Sequence, residues 1–125
     1  MQDESVHPCK ILIVDDEWLI RSELRDMLAQ CPGIHVVGEA GTVEEAIRLI
    51  EDERPDAVFL DIQMPGQSGF DLLERTRNLF RIVFISAFSQ YRDRAKQYKP
   101  VDYLMKPITK SQLARVVRKL QKEDA

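Results

Sequence analysis

Residues 10–17 read Lys10-Ile11-Leu12-Ile13-Val14-Asp15-Asp16-Glu17, four apolar residues running straight into three acids. A short run that is apolar on both faces fits a parallel strand buried under helices on each side. The same arrangement recurs along the chain. Ile34-His35-Val36-Val37, Ala57-Val58-Phe59-Leu60, Ile82-Val83-Phe84-Ile85 and the shorter Tyr103-Leu104-Met105 are further runs. Asp61 follows the third, Ser86 the fourth and Lys106 the fifth, whereas the second ends in Gly38-Glu39-Ala40 with nothing singled out.

Helix patterns with readable ends lie between these runs. Ile20, Leu24, Met27 and Leu28 share one face, and Pro32-Gly33 stops that helix. Thr42 with Glu45 reads as a capping box that opens a helix with Val43, Ala46, Ile47 and Ile50 inward. Ser68 with Asp71 caps a third. Thr109 with Gln112 opens the last, with Leu113, Val116, Val117 and Leu120 on one stripe. The stretch between Gln90 and Tyr98 is mostly polar and ends at Pro100, which predicts a short fourth helix. Five strands alternating with five helices predict an α/β fold with a single doubly wound parallel sheet. Such a sheet binds outside the carboxyl ends of its strands, where the three acids, Asp61, Ser86 and Lys106 would meet.

The chain of 125 residues suits one domain with one substantial core. Its net charge of -3 offers no basic footprint for nucleic acid. No apolar run approaches the roughly 20 residues needed to span a bilayer, and the N-terminus lacks the layout of a signal peptide. A cytoplasmic chain with no membrane contact is expected. Cys9 and Cys31 read as two ordinary thiols rather than a disulfide or a zinc site.

Clustered carboxylates repel, so they either raise a pKa or hold a cation. Oxygen-only ligands suit a hard ion such as Mg2+. A lysine nearby supplies a compact charge for a phosphoryl oxygen, a serine hydroxyl can donate to another, and an aspartate can itself be the nucleophile. Phosphoryl transfer needs little beyond positioning and charge neutralisation.

Taken in order, Ile-Leu-Ile-Val-Asp15-Asp16-Glu17, Val-Phe-Leu-Asp61-Ile-Gln-Met-Pro65-Gly-Gln-Ser-Gly69, Phe-Ile-Ser86-Ala87 and Asp-Tyr103-Leu-Met-Lys106-Pro107 resemble a response-regulator receiver domain of two-component systems. The likeness covers nearly the whole chain. It implies a flavodoxin-like sheet of order 2-1-3-4-5, with residues 1–9 as an N-terminal extension, 10–121 as the receiver domain and 122–125 as a tail. It implies that Asp61 is the phosphoacceptor for a sensor histidine kinase or a histidine phosphotransfer protein, so the domain signals rather than acting as an enzyme in its own right. Asp16, Asp61 and the Gln63 carbonyl would ligate Mg2+, with Asp15 acting through a water. Lys106, Ser86 and the Ala87 amide would hold the phosphoryl oxygens, and Lys106-Pro107 would be cis. On phosphorylation Ser86 would move toward the phosphoryl group and Tyr103 would turn inward. That would alter the face of the fourth helix, fifth strand and fifth helix, through which partners or a homodimer would dock. Gln63 and Phe88 occupy positions that tune dephosphorylation in the family.

The segment from Phe88 to Pro100 also resembles receivers of regulators that carry LytTR-type DNA-binding domains, an output of transcription regulation outside this domain. Two rival readings fit these residues less well. A haloacid-dehalogenase-type phosphatase would carry a second Asp two residues after its nucleophile, where this chain has Gln63. A receiver-fold adaptor that is never phosphorylated would have no need of the complete Asp, Ser and Lys set.

Overall fold

The computed structural model describes residues 8–77 and 79–123. Strands β1 (Cys9–Val14), β2 (Ile34–Ala40), β3 (Ala57–Asp61), β4 (Arg81–Ser86) and β5 (Asp102–Met105) form one sheet of order β2-β1-β3-β4-β5. All four pairings are parallel. The helices are α1 (Trp18–Ala29), α2 (Val43–Glu53), α3 (Gly69–Arg75), α4 (Arg92–Lys96) and α5 (Lys110–Glu123). The expected extension and tail fall largely outside the described residues, although β1 begins at Cys9 and α5 runs to Glu123. No helix among the described residues is long and apolar enough to cross a membrane.

The central strands carry unbroken apolar runs, residues 11–14, 57–60 and 82–85, because both sheet faces are covered. Side chains alternate between faces with period two. Ile11, Ile13, Phe59, Val83 and Ile85 pack with Leu24 and Leu28 of α1 and with Leu113, Val116, Val117 and Leu120 of α5. Leu12, Val14, Val58, Leu60 and Phe84 meet the other layer, formed by Val43, Ala46 and Ile50 of α2, Phe70, Leu72 and Leu73 of α3 and Ala95 of α4. Burying each such side chain contributes about 1.5–3 kcal/mol, which makes the two layers the main source of stability.

Caps fix where the helices start, and therefore where the strand-end loops lie. Ser68 and Asp71 form a complete capping box on α3. Thr109 and Gln112 do the same before α5, with bonds of 3.0 and 3.2 Å. On α2, Thr42 Oγ1 accepts the Glu45 amide at 3.1 Å, but the Glu45 carboxylate accepts the Gly41 amide, one residue earlier than a reciprocal box requires. Helix α4 has only five residues, as its polar composition predicts. Between β3 and α3, Gln63–Met64 and Gln67–Ser68 pair as the arms of a small antiparallel hairpin around Pro65-Gly66. Gly66 has φ 81°, a conformation glycine adopts without steric cost. The Lys106-Pro107 bond is cis.

Candidate functional site

Strand order decides which strand ends become neighbours. Since β3 lies between β1 and β4, Asp61 has Asp15 on one side and Ser86 on the other, with Lys106 one strand further out. Asp15 and Ser86 are fully buried and Asp61 is 3% exposed, whereas Asp16 is exposed. The carboxylates of Asp15, Asp16 and Asp61 each offer an oxygen within 4.8 Å of the others. Lys106 Nζ reaches in from β5, 2.8 Å from Asp15 Oδ2, 3.3 Å from Glu17 Oε1 and 3.6 Å from Asp61 Oδ2. A cleft of about 380 Å³ opens above Asp61, lined by Asp16, Gln63, Ala87, Phe88 and Lys106 among others.

The electrostatics follow from burial. Loss of water, and then the charge of Asp15, pushes the Asp61 carboxyl up to about 7, against the pull of Lys106. Burial likewise raises Asp15, although Lys106 and the Glu17 amide favour its charged form. For Lys106, burial works against the ammonium, but its bond to Asp15 and the charges of Asp61 and Asp15 hold its pKa above the ordinary value. Asp15 Oδ1 accepts the Glu17 amide at 2.9 Å. Asp15 Oδ2 is fully buried and faces the Lys106 ammonium at 2.8 Å. One lysine facing three carboxylates leaves the cluster short of positive charge. An all-oxygen donor set of three carboxylates whose oxygens lie within 4.8 Å of one another fits a hard divalent cation such as Mg2+.

Ser86 and Tyr103 converge on one residue. The Phe88 amide donates to Ser86 Oγ at 3.0 Å, and Tyr103 Oη donates to the Phe88 carbonyl at 2.5 Å. Tyr103 lies inward, 9% exposed, with its ring 6.2 Å from Phe84 and the Arg92 guanidinium 4.7 Å above it. The Ser86 and Tyr103 hydroxyls are thus linked through the backbone of one residue, Phe88.

Two features were not singled out in the sequence. Gly69 begins α3 so close to β3 that an added Cβ would sit 2.5 Å from the Asp61 carbonyl oxygen. Arg21, in the first turn of α1, bonds both the Asp15 carbonyl and Glu39, the residue at the end of β2 that had no assigned use. The available signal was a cation where the helix dipole favours an anion.

The fold is a doubly wound α/β domain with a buried aspartate at the end of its central strand, flanked by acids, a serine and a lysine. The model of the response regulator receiver domain matches residues 11–118, and the chain belongs to that family. It is a receiver domain of a two-component response regulator. The sensory transduction protein LytT of Enterococcus faecalis is 40% identical over 116 residues, covering 90% of this chain and 48% of that protein. The transcriptional regulatory protein BtsR of Salmonella typhi is 41% identical over 116 residues, covering 91% and 48% respectively. Relatives named LytT agree with the LytTR-type likeness. The chain spans about half the length of the curated relatives it matches. Among solved structures, the receiver domain of AraT, a response regulator from Geobacillus stearothermophilus, superposes with a TM-score of 0.81 at 31% identity, covering 92% of this chain and 95% of that one.

Proposed function

We propose that this receiver domain takes a phosphoryl group from the phosphohistidine of a sensor kinase, or of a histidine phosphotransfer protein, onto Asp61. The observation that carries the reading is the buried Asp61 carboxylate at the floor of an open acidic cleft, with Lys106 Nζ 3.6 Å away. An Asp61 oxygen attacks phosphorus. The O–P bond forms as the N–P bond breaks, and its electron pair returns to the donor imidazole. The Lys106 ammonium neutralises charge on the transferred group, while Ser86 Oγ and the Ala87 amide donate to its oxygens.

Asp16 and Asp61, with the backbone carbonyl of Gln63, would hold Mg2+, and buried Asp15 would act through a water. Bound Mg2+ supplies the positive charge that keeps these carboxylates ionised and offsets that of the phosphoryl oxygens. The Ser86–Phe88–Tyr103 chain would pass the change to the face of α4, β5 and α5, where a partner or a second copy docks. In this reading the domain works in the cytoplasm, without itself touching nucleic acid or membrane, and regulates transcription through a DNA-binding portion of a longer protein.

Intact mass after incubation with acetyl phosphate and Mg2+ tests the reading, with Asp61→Asn alongside. A gain of one phosphoryl group that disappears in the variant, and without Mg2+, is the expected result. No gain under conditions that label a known receiver would favour the adaptor that is never phosphorylated.

A further inference from the structure

Arg21 has no part in the chemistry above, yet its placement is costly. It stands in the first turn of α1, where the dipole disfavours a cation, and its side chain is only 20% exposed. Its Nη1 donates to the Asp15 backbone carbonyl at 2.7 Å, and its Nε donates to Glu39 Oε1 at 3.2 Å. The other Glu39 oxygen takes Arg25, so the carboxylate is held from two turns of α1. Gly41 leaves the guanidinium its room, since a Cβ there would lie 3.3 Å from Arg21 Nη1 and 3.9 Å from the Asp15 carbonyl.

The carbonyl that Arg21 grips belongs to the peptide joining Asp15 to Asp16. That unit is planar, so fixing its oxygen fixes the plane from which both residues project. The need is electrostatic. Asp15 and Asp16 both act on Asp61 as like charges, and Asp16 is exposed at the rim. Lys106 restrains the cluster from the β5 side, and only through carboxylates.

We propose that Arg21, braced by Glu39, is a positioning residue that holds the Asp15–Asp16 peptide so that both carboxylates face Asp61. The inference rests on the reading of this cluster as a Mg2+ and phosphoryl site. Three variants test it, Arg21→Gln, Arg21→Lys and Arg25→Gln, with Mg2+ affinity measured by calorimetry. Amide exchange of Glu17 in the metal-free protein and the urea midpoint are measured alongside.

Arg21→Gln is expected to weaken Mg2+ binding about tenfold, the usual scale for a residue that orients a ligand, and to speed exchange at Glu17. Arg21→Lys should recover part of both, because one ammonium cannot reproduce the fork. Arg25→Gln shares Glu39 but not the Asp15 carbonyl, and should stay within about twofold of wild type. Unchanged Mg2+ affinity and Glu17 exchange in Arg21→Gln would overturn the proposal, whatever the urea midpoint does. An equal loss in Arg25→Gln would overturn it too. If Arg21→Gln does not fold, Glu39→Gln removes the brace alone, and the same two readouts decide. Wild-type protein that binds no Mg2+ would sink the site reading instead, leaving Glu17 exchange to judge Arg21.

Discussion

Replacing Asp61 by Asn should stabilise the metal-free protein at pH 8, although it removes the residue on which the proposed chemistry depends. Asp61 is 3% exposed, and burial with the Asp15 charge moves its carboxyl from the ordinary 3.8 to about 7. At about 1.4 kcal/mol per pH unit, that rise makes the ionised form cost the fold about 4 kcal/mol. Because the folded pKa is raised, the stability is fully present below the unfolded value and is lost as pH rises through about 7. Asn stays neutral throughout. The gain should therefore be small near pH 4, grow to about 4 kcal/mol at pH 8 and level off above it. Urea unfolding of both proteins in chelator, from pH 4 to 9, measures this difference directly. Saturating Mg2+ should narrow or reverse the gap, since the wild type gains binding energy that the variant has lost. No gain at pH 8, or the same gain at pH 4 and pH 8, would refute the reasoning that burial of charge dominates this site.

Mg2+ affinity measured by calorimetry should weaken about tenfold between pH 8 and pH 6, because one pH unit below about 7 only about a tenth of Asp61 is ionised. Gly69→Ala should cost about 1–3 kcal/mol in thermal unfolding, since its Cβ would meet the Asp61 carbonyl at 2.5 Å and Leu60 Cγ at 3.0 Å. An unshifted melting temperature there would show that α3 yields freely. Tyr103→Phe removes the bond to the Phe88 carbonyl and should lower stability by about 1 kcal/mol in urea titration.

Sheet, helix faces and strand-end chemistry were legible in the chain because each rests on local periodicity. Apolar runs without alternation announce strands covered on both faces, and Asp15, Asp61, Ser86 and Lys106 declared themselves by following those runs. The caps at Ser68 and Thr109 were equally local, since each pairs residues three apart. Glu45 shows where local reading ends. Its carboxylate passes over the Thr42 amide for that of Gly41, a choice made by the loop leaving β2.

Tertiary structure alone decided what depends on strands meeting across long separations. Asp15 and Lys106 come within 2.8 Å only because β3 and β4 separate β1 from β5 at the right spacing. The elevated pKa of Asp61 is a property of the water removed by the surrounding layers, which no spacing of residues in a sequence records. The partners of Arg21 and Glu39 were hidden for the same reason: the two side chains meet beside the Asp15 carbonyl only after β1 and β2 have paired.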